Sequence, residues 1–208
     1  MIRAETESLL RSVEPPKPGD LILFSGDHPV HVRQEMVTGC RWAQVAMVVG
    51  RPDHRGPVVF ESTTLSPCRD IFTGHQHRGV QLAGWSERVS TFTGWIALRR
   101  WAAALDDATL SRLNAFVDEV HGRPFDENPR NAGRAFRRRN RYPTNESFFC
   151  SQLVAEALQR MGLIQSPPEG PSSNNYIPAD FSCEYPSSLL SRTALQRLHP
   201  EVLIKGSD

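Results

Sequence analysis

Apolar residues follow two different rhythms along this chain. Up to about residue 100 they come in short runs closed by glycine or proline. Residues 20–24 (DLILF) lie between Gly19 and Gly26, residues 43–49 (AQVAMVV) stop at Gly50, and residues 57–62 (PVVFES) follow the turn RPDHRG at 51–56. Segments 79–82 (GVQL) and 94–100 (GWIALRR) have the same form. Short apolar runs bounded by turn residues predict strands, about five of them. Their short links predict antiparallel pairing. Between the first two strands, residues 30–38 predict a short helix stopped by Gly39.

After residue 100 the spacing changes to that of helices. Leu110, Leu113, Val117 and Val120 predict a helix over 107–121, with Gly122 as its stop. Residues 148–161 carry the strongest pattern: Cys150, Leu153, Val154, Ala157, Leu158 and Met161 form one apolar stripe, and Gly162 follows. Further helices are predicted over 4–12 and 187–198, and 165–178 (QSPPEGPSSNNYIP) is loop by composition. There is no internal repeat and no heptad. Strands first and helices afterwards make an α+β domain, a small antiparallel sheet packed against helices.

At 208 residues the chain is read as one domain, 1–208. Its net charge of +1 argues against capture of nucleic acid by overall charge. No apolar run approaches the roughly 18 residues of a membrane helix. The start, MIRAETESLLRSVEPP, has Glu5 and Glu7 and no apolar core, so no secretory signal is expected. That points to a cytoplasmic or virion-associated protein. Cys40, Cys68, Cys150 and Cys183 form no CxxC pair and have no zinc-finger spacing. Reduced thiols, no structural metal and no cofactor are therefore expected. Cys68 and Cys183 read as small buried hydrophobes.

Cys150 is the residue with chemical promise. It sits on the apolar stripe and in the first turn of its helix, where free amides and the helix dipole favour a thiolate. Considered alone it reads first as a packed core cysteine, since buried cysteines are commoner than nucleophiles. The order of motifs adds to this. PGDLILFSG, VTGCRWAQVAMVVG, VVFEST, GVQL, GRPFD, FFCSQLVAEALQRMGL and PADF follow one another over about 17–181. This succession resembles the circularly permuted NlpC-like branch of the papain-fold cysteine hydrolases. YiiX-like bacterial proteins and, more distantly, lecithin retinol acyltransferase belong to that group.

The resemblance implies a papain-like fold, with Cys150 as nucleophile and Glu61 as the acid that orients a histidine. It implies attack of the Cys150 thiolate on an amide or ester carbonyl, with a peptide, a murein cross-link or an acyl lipid as substrate. The position of the histidine is taken by Gln44. An imidazole accepts the thiol proton and returns it to the leaving group, and a carboxamide does neither. Three outcomes stay open. The domain is inactive and keeps its cleft as a binding or structural module, or a histidine enters from elsewhere, or Cys150 reacts with only its helix to activate it.

His75 and His77, in the loop GHQHRG after the Glu61 strand, are the candidate substitute bases. An exposed polar loop is the plainer account of them. His28 and His31 are weaker candidates. His54 lies in the opposite turn, and His121 and His199 read as helix-end residues. All basic residues except Lys17 and Lys205 are arginine. Arg130, Arg134, Arg137, Arg138, Arg139 and Arg141 crowd into 130–141. That cluster reads first as a solvated helix face, with an anionic partner, the phosphate groups of nucleic acid or anionic lipid, as the alternative.

Overall fold

The computed structural model describes residues 14–140 and 145–206. The helix expected over 4–12, and Arg141, lie outside the described residues.

The fold is α+β. Six strands form one antiparallel sheet: β1 (Leu21–Ser25), β2 (Gln44–Val49), β3 (Val58–Thr63), β4 (Gly79–Gly84), β5 (Trp95–Arg99) and β6 (Val202–Lys205). Their order across the sheet is β4-β3-β2-β1-β5-β6. Helices α1 (Pro29–Thr38), α2 (Trp85–Thr91), α3 (Asp107–Val120), α4 (Pro129–Phe136), α5 (Cys150–Arg160) and α6 (Arg192–Gln196) connect or cover it.

β1, β2 and β3 are buried along their whole length. A sheet with one wet face would alternate apolar and polar residues, whereas one covered on both faces needs continuous apolar runs. Leu21, Leu23, Val45, Met47 and Phe60 pack toward α3 and α5. Ile22, Phe24, Ala46, Val48 and Val59 point the other way, toward Trp85 and Val89 of α2. On the α5 side, Leu153 and Leu158 are fully buried. Each contributes about 1.5–3 kcal/mol by leaving water, so a charge at either position would detach the helix from the sheet.

The edges are managed differently. Along β4, Leu82 donates its N–H to Asp70 Oδ2 at 2.9 Å, and its carbonyl accepts from Ile71 at 2.8 Å. Val80 is paired in the same way with Arg123 and Gly122. The backbone of 123–125 passes so close to Gly79 that a Cβ there would lie 2.2 Å from the Arg123 oxygen. Only glycine fits, and its φ of 145° also favours glycine. The opposite edge is the short β6, with Val202 and Leu203 half-exposed.

The sheet has six strands where the sequence predicts about five, because β6 is short and follows Pro200. The helix expected over 187–198 shrinks to α6. Ser188 Oγ and the Leu189 N–H are both tied to Asp180, at 2.7 and 2.8 Å, which holds 188–190 out of the helix. Ser191 then caps α6 by accepting from the Ala194 N–H at 3.2 Å. The 165–178 segment contains a 3-10 turn at Ser173–Asn175, and a second follows at Pro178–Phe181.

Candidate functional site

β2 and β3 pair only from Met47↔Phe60 to Val49↔Val58. Beyond that they separate, although β2 stays paired to β1 as far as Gln44 and β3 to β4 as far as Thr63. The start of α5 enters this fork. Ser62 Oγ donates to the Phe148 carbonyl at 2.6 Å, and Phe148 N–H donates to Pro124 O at 3.1 Å. Phe149 is the extended N-cap and supplies no side-chain cap. Its first-turn amides are therefore left for other partners. Ser151 Oγ donates to the Tyr176 carbonyl at 2.8 Å, which fixes the rotation of the helix.

Cys150 is partly buried as a residue, and burial pushes its thiol up to about 11. The amides of Val45, Ser151 and Cys150 itself pull the other way, and the charge of Glu61 pushes up further. The expected lowering by the helix start is outweighed by desolvation. At neutral pH the group is a thiol. The Val45 amide belongs to the peptide bond that follows Gln44, so the fork brings Cys150 beside the position predicted for its base.

Gln44 and Glu61 meet across the fork, on the α2 side of the sheet. Gln44 Nε2 donates to Glu61 Oε2 at 2.9 Å, and Gln81 Nε2 donates to Oε1 at 2.9 Å. Arg88 Nε lies 2.9 and 3.0 Å from the two oxygens. All four residues are buried. The guanidinium also sits 4.5 Å from the Phe24 ring centre and 5.1 Å from that of Phe92. Glu61 is thus neutralised by Arg88 and saturated by two amides. Gln81 and Arg88 were not singled out in the sequence. The signal was present: a glutamate in the run VVFE needs a buried cation, and Gln81 interrupts the apolar GVQLAG.

The histidines are placed elsewhere. His75 is exposed, and its carbonyl accepts from Asp70 N–H at 2.9 Å. The His77 ring lies 3.4 Å from Arg123 O. Both sets of contacts lie along the outer edge of β4, and none reaches Cys150, Gln44 or Glu61 among the described residues. His28 Nδ1 caps α1 through the Val30 N–H at 3.3 Å. His31 is buried against Phe92, and burial lowers it to about 4, with the charges of His28 and Arg88 adding to the effect. His121 Nε2 pairs with Asp70 Oδ2 at 2.7 Å. The remaining cysteines form no disulfide: Cys40 and Cys68 are buried, whereas Cys183, expected to be buried, is exposed because its N–H and sulfur both turn to the Glu201 carboxylate. Among the described residues no three His, Cys, Asp or Glu side chains converge to hold a metal. No helix among them is long and apolar enough to cross a membrane.

A cleft of about 920 Å³ opens beside the first turn of α5. Phe149 and Gln152 line it on one side, and Arg134, Arg137, Arg138 and Arg139 on the other. The arginine-rich segment therefore borders the fork, while Arg130 is exposed at the start of α4.

No protein-family model matches the chain. No curated protein matches it either. Among solved structures it is similar to the metalloprotein YiiX from Escherichia coli O157:H7, DUF1105. The TM-score is 0.54 at 15% identity, over 93% of this chain and 99% of that one. The likeness is one of fold. The ligand groups that a resident metal would need do not converge among the described residues of this chain.

Proposed function

We propose that the chain is a circularly permuted, papain-like (NlpC-type) thiol-hydrolase domain over 1–208. On this reading it descends from enzymes that act on a peptide, murein or acyl-lipid bond, and Gln44 has replaced the histidine base. Its role is to bind through the cleft at the start of α5 rather than to cleave. The observation that carries this reading is the Gln44–Glu61–Arg88 contact set. The acid that would orient an imidazole is instead neutralised in a buried ion pair and holds a carboxamide. The raised Cys150 thiol supports it too, because a protonated thiol is a poor nucleophile.

The test is the pH dependence of iodoacetamide labelling at Cys150. The expected midpoint lies above that of an ordinary thiol and does not move in His75→Ala or His77→Ala. Gln44→His is expected to lower it, because an imidazolium beside the sulfur stabilises thiolate. A wild-type midpoint already below the ordinary value, abolished by either loop-histidine substitution, would restore an active enzyme with a relocated base.

A further inference from the structure

The cleft beside α5 carries more positive charge than the fold uses. Arg138 is committed. Its Nη1 and Nη2 donate to Asp180 Oδ2 and Oδ1 at 2.7 and 2.8 Å, and Nη1 also donates to Asn175 O at 2.6 Å. Asp180 is fully buried and in turn accepts from the Ile177 and Leu189 amides. This ion pair is structural. Arg134, Arg137 and Arg139 are different. They are exposed, they line the same cleft, and their side chains have no partner among the described residues. Asp126 is the one acid in the lining among the described residues, and its oxygens are occupied by the Asn128 N–H and Asn131 Nδ2, both at 2.9 Å.

Three unpaired guanidinium groups around one concavity repel each other. The C-terminal dipole of α4 offsets this for Arg134, in its last turn. Arg137 and Arg139 lie past the helix, and Arg139 N–H closes back on the Arg134 carbonyl at 2.9 Å. That loop turns the three side chains to one cleft. On the facing wall is the start of α5, an eleven-residue helix whose N-cap makes no side-chain bond, so its dipole adds to the positive field. Phe149 supplies an apolar surface on the same wall.

We infer that this cleft binds a soluble small molecule bearing phosphate groups, its charge on Arg134, Arg137 and Arg139 and its apolar part on Phe149. The inference rests on the binding reading given above and names the ligand class for that site. Guanidinium forks match phosphate oxygens two at a time, and a group of charge near −2 fits three cations and one spent carboxylate. The cleft volume is within the few hundred to about 1,000 Å³ of small-molecule sites, and its concavity disfavours a flat membrane surface.

The probe is inorganic pyrophosphate, titrated calorimetrically into the full chain, with vesicles of phosphatidylglycerol as a second arm. Saturable one-to-one binding that weakens with added salt is expected. The triple variant Arg134→Gln/Arg137→Gln/Arg139→Gln should lose about tenfold or more, with its thermal unfolding unchanged because the three side chains are exposed and unpaired. Arg130→Gln, outside the cleft lining, should bind like wild type. Absence of saturable binding overturns the inference. So does equal weakening by Arg130→Gln, which would mean diffuse charge, or binding to vesicles without binding to pyrophosphate. The readout does not involve Cys150. Failure here would leave the labelling result for Gln44 standing, and a reactive Cys150 would leave the pyrophosphate result standing.

Discussion

The two faces of the sheet bury their side chains by different means. At the centre of the α3–α5 face the interior is carbon packed on carbon. Phe60, Phe116 and Phe148 meet edge to face at 6.1 and 6.2 Å. On the α2 face a smaller apolar layer is interrupted by Glu61, Gln44, Gln81 and Arg88, all with little or no exposure. The first kind of core degrades gradually as methylenes are removed. The second depends on a charge that is tolerable only while every partner is present. The site is therefore asymmetric: the thiol belongs to the first face, and the acid and amide that resemble its partners belong energetically to the second.

The largest expected effect follows from that asymmetry. Arg88→Met leaves the Glu61 carboxylate buried and unpaired, which should cost about 3–5 kcal/mol in urea unfolding. Glu61→Gln in the same background should recover much of it, a strong coupling. Leu158→Ala, on the opposite face, should cost about 2–5 kcal/mol and add simply to Arg88→Met. If Arg88→Met and Glu61→Gln proved additive, the ion pair would not be the organising contact of its face.

A second difference should appear in acid. His31 borders the α2 face, and its Nδ1 has no hydrogen-bond partner among the described residues. Its folded pKa is about 4 against an ordinary 6.5. Below pH 6.5 the unfolded chain takes up a proton that the folded chain refuses. Stability is therefore lost as pH falls from 6.5 toward 4, by about 2 kcal/mol at pH 5. His31→Leu should remove that loss and change little at pH 7, because no hydrogen bond is sacrificed. Parallel stability curves for the two proteins between pH 7 and 4.5 would show that His31 is not held neutral.

Much of this was legible in the sequence, and the gaps have physical causes. The central strands could be read because burial on both faces turns a strand into an unbroken apolar run. The α5 stripe could be read because one side of it meets the sheet. β6 is half-exposed and four residues long, so its pattern is weak. α2 was not predicted because it buries an arginine beside Trp85 and Val89, and a buried arginine looks like a surface residue until its partner is known. That omission hid the neutralisation of Glu61. Cys150, Gln44 and Glu61 could each be placed near one strand end, and the fork gathers them. The direction of the thiol shift could not be read, since it depends on how far the sulfur is withdrawn from water.

The smallest effect concerns Cys150 itself. The folded thiol ionises near 11 and an ordinary one near 9. Between these values the unfolded chain releases a proton that the folded chain keeps, so stability falls as pH rises from 9 toward 11. Tyr176 and Cys40, both raised by burial, add to the same alkaline loss. Cys150→Ala isolates the contribution of one thiol. At pH 7 it should cost about 1 kcal/mol or less, because only a sulfur is lost and the cavity is small. Above pH 9 the variant should lose stability less steeply than wild type, and the two curves should converge or cross. If they stay parallel up to pH 11, the thiol is not desolvated in the folded state. The fork would then admit water, and the α5 face would be as polar at this end as the face behind it.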